Sequence, residues 1–291
     1  MRSDTAPSMF RTEAGQARYY AAYDATLALW PRPVTAQTVE TPFGPTYVNC
    51  CGPEGAPALL LLPGQAVSAT MWYANVGALG EAFRIYAPDI LGDMGKSVVT
   101  RRLTQPADFA AWLTALLDGL GVADANVAGL SYGGFIALRL ALSAPERVRR
   151  LALLAPASLL PLRPQFFVRM AGMVLPDRLL PPGGKQRLLL GVASETAAPM
   201  IKQLLTPNDF RYSMYLPPVV SDAELRTLRP PTLLLLGEQE VIYDRQAAVR
   251  RATALMPNVE AAVIPNAGHA LNLDQPELVN AKLLAFFQAA G

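Results

Sequence analysis

Three kinds of side chain that together cleave acyl bonds stand far apart in this chain of 291 residues. Ser131 sits in Gly129-Leu130-Ser131-Tyr132-Gly133, a G-x-S-x-G pattern, and the one histidine, His269, sits in "VIPNAGHALNLDQPE". Between them, "GEQEVIYDRQ" offers Glu238, Glu240 and Asp244. A serine hydroxyl is a poor nucleophile until a base takes its proton, and that base works best when a third group orients it and stabilises its charge. The order serine, acid, histidine is the one that accompanies a serine on a strand-to-helix elbow.

The surrounding pattern supplies such an elbow. Val127–Leu130 reads as a short buried strand and the residues from Gly134 to Ala144 as a helix. Glycines on both sides of Ser131 would let neighbouring backbone approach a strained turn, at a helix N-terminus that favours developing negative charge. Ala58–Leu62, Arg84–Ala87, Leu151–Ala155, Thr232–Leu236 and Ala261–Ile264 read as further strands. Helices are expected over Met71–Phe83, Pro106–Leu120, Arg245–Leu255 and Pro276–Phe287. Leucine-rich and β-branched runs alternating with helices mean an α/β fold, with a mostly parallel sheet covered on both faces. His269, just past the last strand, would then share the carboxyl edge of the sheet with Ser131.

The alternation pauses over residues 159–228, which are rich in Leu, Met, Phe and Pro and show no clear strand. A helical cap inserted into one domain fits this best, dividing the core into residues 1–158 and 229–291. Ahead of the core, residues 9–30 place Tyr20, Tyr23, Leu27 and Trp30 on one helix face, expected to pack on the domain. "TVETPFGPTYVNCCG" reads as two strands around the Phe43-Gly44-Pro45 turn.

Composition narrows the function classes. Charged residues make up 16% and the net charge is +2, with both signs scattered, which argues against a nucleic-acid surface. No apolar run reaches the ~18 residues of a membrane span, and none near the start has signal-peptide length. Cys50 and Cys51 are adjacent and the only two cysteines, unsuited to a disulfide framework or, with a single histidine, to a metal site. The expectation is a cytoplasmic protein that needs neither metal nor organic cofactor. Self-association stays open.

"GLSYGG", "PTLLLLGEQE" and "IPNAGHALNLDQPELVN" resemble the nucleophile, acid and histidine segments of the α/β-hydrolase fold family, over essentially the whole chain. "LLLLGEQEVIYD" and "PDILGDMGKS" are similar to its bacterial carboxylesterases of the naproxen type. The resemblance implies a serine hydrolase acting on esters of apolar carboxylic acids through an acyl-enzyme. In it Ser131 is the nucleophile and His269 the base. The family acid commonly closes a "G-E-x-D" segment, a position held here by Glu240, with Asp244 in reserve. The oxyanion hole would use the backbone N–H groups of Tyr132 and Gln65. Family members commonly carry His-Gly before the latter donor, whereas Pro63-Gly64 stands here. This leaves open how the loop is pinned, with Gly64 lining the substrate.

"GDMGKS" lacks the first glycine of a phosphate loop, since Ile90 stands there. It fits better as a loop at the mouth of the site. Phe166, Phe167, Met170, Met173, Met214 and Tyr215 offer an apolar, adaptable pocket roof. The same machinery would also serve a lactonase, amidase, C–C hydrolase, acyltransferase or perhydrolase. A ligand-binding receptor on this fold is the rival from another class.

Overall fold

The leucine-rich runs become the middle of a single sheet. The computed structural model describes residues 9–172, 175, 177–213 and 215–289. The chain begins with helix α1 (Glu13–Leu27), whose Thr12 hydroxyl accepts the Gly15 N–H. A hairpin of β1 (Thr35–Val39) and β2 (Thr46–Cys51) follows, then β3 (Ala58–Leu62). A 3₁₀ turn over Ala69–Ala74 and the four-residue helix α2 (Val76–Leu79) lead to β4 (Arg84–Pro88). Helix α3 (Pro106–Gly119), β5 (Ala125–Leu130), helix α4 (Tyr132–Ser143) and β6 (Val148–Leu154) continue the alternation.

Between the two halves of the sheet lie α5 (Pro164–Gly172), α6 (Gly184–Leu190), α7 (Ala198–Leu204) and α8 (Asp222–Arg226), with no strand among the described residues there. The core resumes with β7 (Thr232–Gly237), α9 (Arg245–Leu255), β8 (Val259–Ile264), α10 (Leu271–Asp274) and α11 (Pro276–Gln288). The strand order is β1-β2-β4-β3-β5-β6-β7-β8, antiparallel at β1–β2 and β2–β4 and parallel from β4 to β8. Leu59–Leu62, Leu151–Leu154 and Leu234–Leu236 are fully buried, as strands covered on both faces must be. The edge strand β1 keeps four of its five residues exposed.

The order reverses beside β3: the chain goes outward to β4 and returns to β5 on the other side. Open α/β sheets form their crevice at such a switch point, outside the carboxyl ends of the strands. The segments that leave β3, β4 and β5 therefore meet there, and these are Pro63–Val67, Asp89–Ser97 and the Ser131 turn.

Two helices differ from their sequence pattern. The helix expected over Met71–Phe83 is instead the 3₁₀ turn and the short α2. Asn75 stands at the break, donating to Asn280 (2.8 Å) and to the Asn272 carbonyl (3.2 Å), and Gly77 and Gly80 weaken helix propagation beyond it. The N-terminal helix is shorter than the apolar stripe and ends before Trp30, whose indole N–H donates to the Thr70 carbonyl (3.0 Å). Tyr19 and Tyr23 are wholly buried, and α1 packs against α7 and the 3₁₀ turn. The Tyr23 hydroxyl accepts from the Asn49 amide at 2.6 Å. An isolated bridge joins Phe10 to Phe210, whose rings meet edge-on at 5.0 Å, so the stretch before α1 also clasps the inserted segment between α7 and α8.

This burial makes α1 part of the core. Tyr23→Ala should lower stability by roughly 3–5 kcal/mol, as large aromatic deletions do. Denaturant unfolding of the two proteins measures the difference, and a change under about 0.5 kcal/mol, typical of surface positions, would contradict the packing.

Candidate active site

The elbow is built by steric exclusion. Ser131 has φ 51° and ψ −111°, a left-handed backbone that a non-glycine residue adopts only when its surroundings enforce it. Its N–H donates to the Leu154 carbonyl (2.9 Å), and its carbonyl accepts from Ala157 (2.8 Å) and Phe135 (3.1 Å). A Cβ at Gly133 would run into the carbonyl oxygens of Leu62 and Pro63, and one at Gly129 into the Gly133 carbonyl. Gly133 thus lets the first turn of α4 press onto the end of β3, and Gly129 lets the same turn sit close on β5. Ser131 thus stands beside the Gly64–Gln65 segment, with Tyr132 as the first residue of α4.

The imidazole of His269 arrives from the other side. The His269 Nδ1 lies 2.9 Å and 3.1 Å from the two carboxylate oxygens of Glu240. Both residues are only 8% exposed. Glu240 Oε1 also accepts the N–H groups of Val241 (2.8 Å) and Ile242 (2.7 Å), so the carboxylate curls back over its own turn. The Glu240 turn is stitched to the His269 loop, with Gln239 N–H donating to Ala267 (2.8 Å) and Glu238 N–H to Ile264 (2.9 Å). From the inserted helices, the Leu190 carbonyl accepts the His269 N–H at 2.7 Å. Asp244, the reserve acid, is engaged elsewhere: it caps α9 through Ala247 (2.9 Å) and pairs with Arg163 (2.7 Å). Those two contacts hold its carboxyl below the usual range. Glu238 accepts from Asn266 N–H (3.1 Å) at the surface.

Ser131 and His269 line one cavity of about 360 Å³, together with Gly64, Gln65, Phe166 and Met200. A second cavity of about 190 Å³ also reaches Ser131, lined by Tyr132, Ala157, Leu160, Leu216 and Val219. Gln65, Phe166 and Ile242 border both. No lysine, arginine, aspartate or glutamate lines either cavity among the described residues.

Of the expected roof, Phe166 is in place, while Phe167 is 62% exposed on the outside. Tyr215 instead packs on Phe109 and Phe135, at 5.5 Å and 6.2 Å between ring centroids. Met170 belongs to α5, but its side chain, like Met173 and Met214 altogether, lies outside the described residues. Leu189, Leu190, Met200 and Leu204 line the larger cavity and Ile242 both. None of them carried a sequence signal beyond being apolar.

The loop after β3 is pinned by two buried carboxylates from "PDILGDMGKS". Asp93 accepts the Ala66 N–H (2.9 and 3.1 Å) and the Met94 N–H (2.7 Å). Asp89 accepts from Ala69 (2.9 Å) and from the Lys96 backbone (2.8 Å). Burial pushes Asp89 up to about 6 and Asp93 up to about 7, the neighbouring Asp89 charge adding to the latter.

Comparison with known proteins follows the same lines. Residues 59–282 match the model of the alpha/beta hydrolase family. Carboxylesterase YbfK of Bacillus subtilis is 38% identical over 283 residues, covering 92% of this chain and 93% of its own. The uncharacterized carboxylesterase nap of the same organism is 38% identical over 286 residues, 94% of this chain and 93% of its own. The crystal structures of carboxylesterase CesB (YbfK) and of naproxen esterase, both from B. subtilis, each superpose with a TM-score of 0.87. Each is 36% identical to this chain, with 96% of this chain and all of theirs covered.

The two buried aspartates set a direction for stability against pH. Their folded-state pKa values lie above the unfolded value, so between about pH 4 and 7 the folded state holds more protons and stability falls as pH rises. Glu224, lowered to about 2, contributes stability that is lost only below about pH 4.5. The melting temperature should therefore be higher at pH 5.5 than at pH 8. Asp93→Asn should flatten that decline, and a variant as steep as the wild type would contradict the assignment.

Proposed function

The chain belongs to the alpha/beta hydrolase family, and from that premise we propose that it is a serine carboxylesterase whose Ser131, His269 and Glu240 act as one unit. The contact that carries the reading is the buried pair of Glu240 and His269 Nδ1, with His269 and Ser131 on the wall of the same cavity. With Nδ1 engaged, Nε2 is the nitrogen left to take the serine proton. Ser131 Oγ attacks the ester carbonyl, and His269 returns the proton to the departing alcohol. Glu240 stabilises the imidazolium between these steps. The N–H groups of Tyr132, at the start of α4, and of Gln65 receive the tetrahedral oxyanion. Water deprotonated by His269 then attacks the acyl-enzyme carbonyl, breaking the bond to Ser131 and releasing the acid.

The substrate reading follows from the walls. Cavities that meet at Ser131 suit an ester whose carbonyl lies at the serine and whose two halves extend apart. Their apolar, chargeless lining favours neutral hydrocarbon-rich groups over phosphorylated or ionic ones. The same lining disfavours the carboxylate product, which promotes its release. The adjacent, buried, unpaired thiols of Cys50 and Cys51 suit a reducing compartment, and we place the protein in the cytoplasm.

Initial rates on p-nitrophenyl acetate, butyrate, octanoate and laurate test the assignment. Ser131→Ala should lose about 10,000-fold or more in kcat, and Glu240→Gln about 1,000- to 10,000-fold. Hydrolysis that persists in folded Ser131→Ala would overturn the reading. Near-normal rates in Glu240→Gln would remove Glu240 from the unit. Leu204→Trp, which narrows the larger cavity, should shift the preferred chain length downward without abolishing acetate hydrolysis.

A further inference from the structure

Buried carboxylates without a cation are costly to keep. Asp93 is 1% exposed and has no ion-pair partner among the described residues, yet it lies outside the serine–histidine–glutamate unit. Its two oxygens converge on one backbone donor, the Ala66 N–H. Ala66 is itself strained, with φ 60° on a non-glycine residue. That left-handed step comes immediately after Gln65, so it decides how the preceding backbone faces the cavity. On either side of it, the Gly64 N–H meets the Met71 sulfur at 3.5 Å, and the next carboxylate hold, by Asp89, comes at Ala69.

We propose that Asp93 is a positioning residue for the oxyanion hole, holding Ala66 in its left-handed conformation and thereby aiming the Gln65 N–H at the substrate carbonyl. The proposal rests on the serine-esterase reading above. It also says why Pro63 can stand where relatives of this fold commonly carry histidine: the loop is gripped from the β4 side instead. The grip is firm because the loop after β4 is itself braced. The Ser97 hydroxyl donates to the Asp89 carbonyl (2.7 Å) and accepts the Tyr47 N–H (2.8 Å). A Cβ at Gly95 would strike the Asp89 side chain. Tyr19 from α1, Tyr132 from α4 and Tyr212 from the inserted segment lie within the electrostatic reach of Asp93, all of them neutral phenols, and Asp89 is its charged neighbour. Lys96 turns its ammonium to Asp24 (2.6 Å) rather than to Asp93.

A group that aims an oxyanion donor affects the transition state more than the bound ester. Asp93→Ala removes the acceptor, whereas Asp93→Asn keeps the volume and one acceptor oxygen. Both would be compared with wild type on p-nitrophenyl butyrate, with active sites counted by a fluorophosphonate that labels Ser131. The inhibition constant of an alkyl trifluoromethyl ketone, which adds to the serine as a hemiketal oxyanion, would be measured beside that of the unfluorinated ketone. Asp93→Ala should lower kcat per active site about 10- to 100-fold, less than the roughly 100- to 1,000-fold cost of losing such a donor outright. KM should stay within about threefold, and the trifluoromethyl ketone should weaken in parallel with kcat while the plain ketone does not. Asp93→Asn should fall between the two proteins. If Asp93→Ala does not fold, the volume-conserving Asn variant carries the test, since it too should lose kcat and trifluoromethyl-ketone affinity together. A purely structural aspartate would lower the melting temperature and leave kcat per labelled site and both inhibition constants unchanged, which overturns the proposal. Hydrolysis that survives Ser131→Ala would overturn the esterase reading instead, so the two failures are distinct.

Discussion

The site depends on how closely the first turn of α4 is pressed onto the carboxyl end of β3. A side chain at position 133 would wedge these segments apart, and one at 129 would push the same turn off β5, because the space a Cβ needs is occupied by carbonyl oxygens. The close approach turns Ser131 into its strained conformation and sets the start of α4 beside the Gly64–Gln65 loop. A hydroxyl on an unstrained turn would lie lower, among the side chains of the sheet. The strain is held by three backbone hydrogen bonds to rigid neighbours, which is how a fold maintains an unfavourable φ without local disorder.

A second constraint concerns reach. An aspartate would present its carboxylate one methylene nearer the turn than Glu240 does. The extra length is absorbed by curling Oε1 onto the N–H groups of Val241 and Ile242. Two neutral backbone donors thus fix the carboxylate before it meets the imidazole, so the longer side chain loses little precision. The inserted helices join the arrangement through the Leu190 carbonyl and Gly268. A side chain at Gly268 would collide with that same carbonyl. The covering of the cavity and the placing of His269 are therefore one packing problem.

Much of this was legible in residue types and spacing. The central strands announce themselves as leucine-rich runs too short for membrane spans. Ser131 and His269 stand out because one occupies a glycine-flanked corner and the other has no rival. Glu240 over Asp244 came from resemblance, and in the structure Glu240 meets the imidazole while Asp244 caps a helix. The failures have a common physical root. The Met71–Phe83 pattern looked helical because periodicity cannot see Asn75 being drawn to α11 across the fold. Phe166, Phe167 and Tyr215 are all aromatic and largely apolar, yet one lines the cavities, one faces solvent and one packs against the core. Only the tertiary placement of each side chain separates them. Asp93 belongs to a legible loop motif, but nothing local reveals that a carboxylate there is buried or that its partner lies 27 positions earlier.

A chain of this size with a single histidine has an unusual spectroscopic property. The imidazole carbon-bound protons of the entire molecule belong to His269, which is 8% exposed between Glu240 and the inserted helices. A proton magnetic resonance spectrum of the unlabelled protein should therefore contain one histidine spin system. It needs no assignment by mutagenesis or isotope enrichment. Its chemical shift would follow occupancy, ionisation and cap packing directly, so the molecule carries its own probe at the point where those three meet.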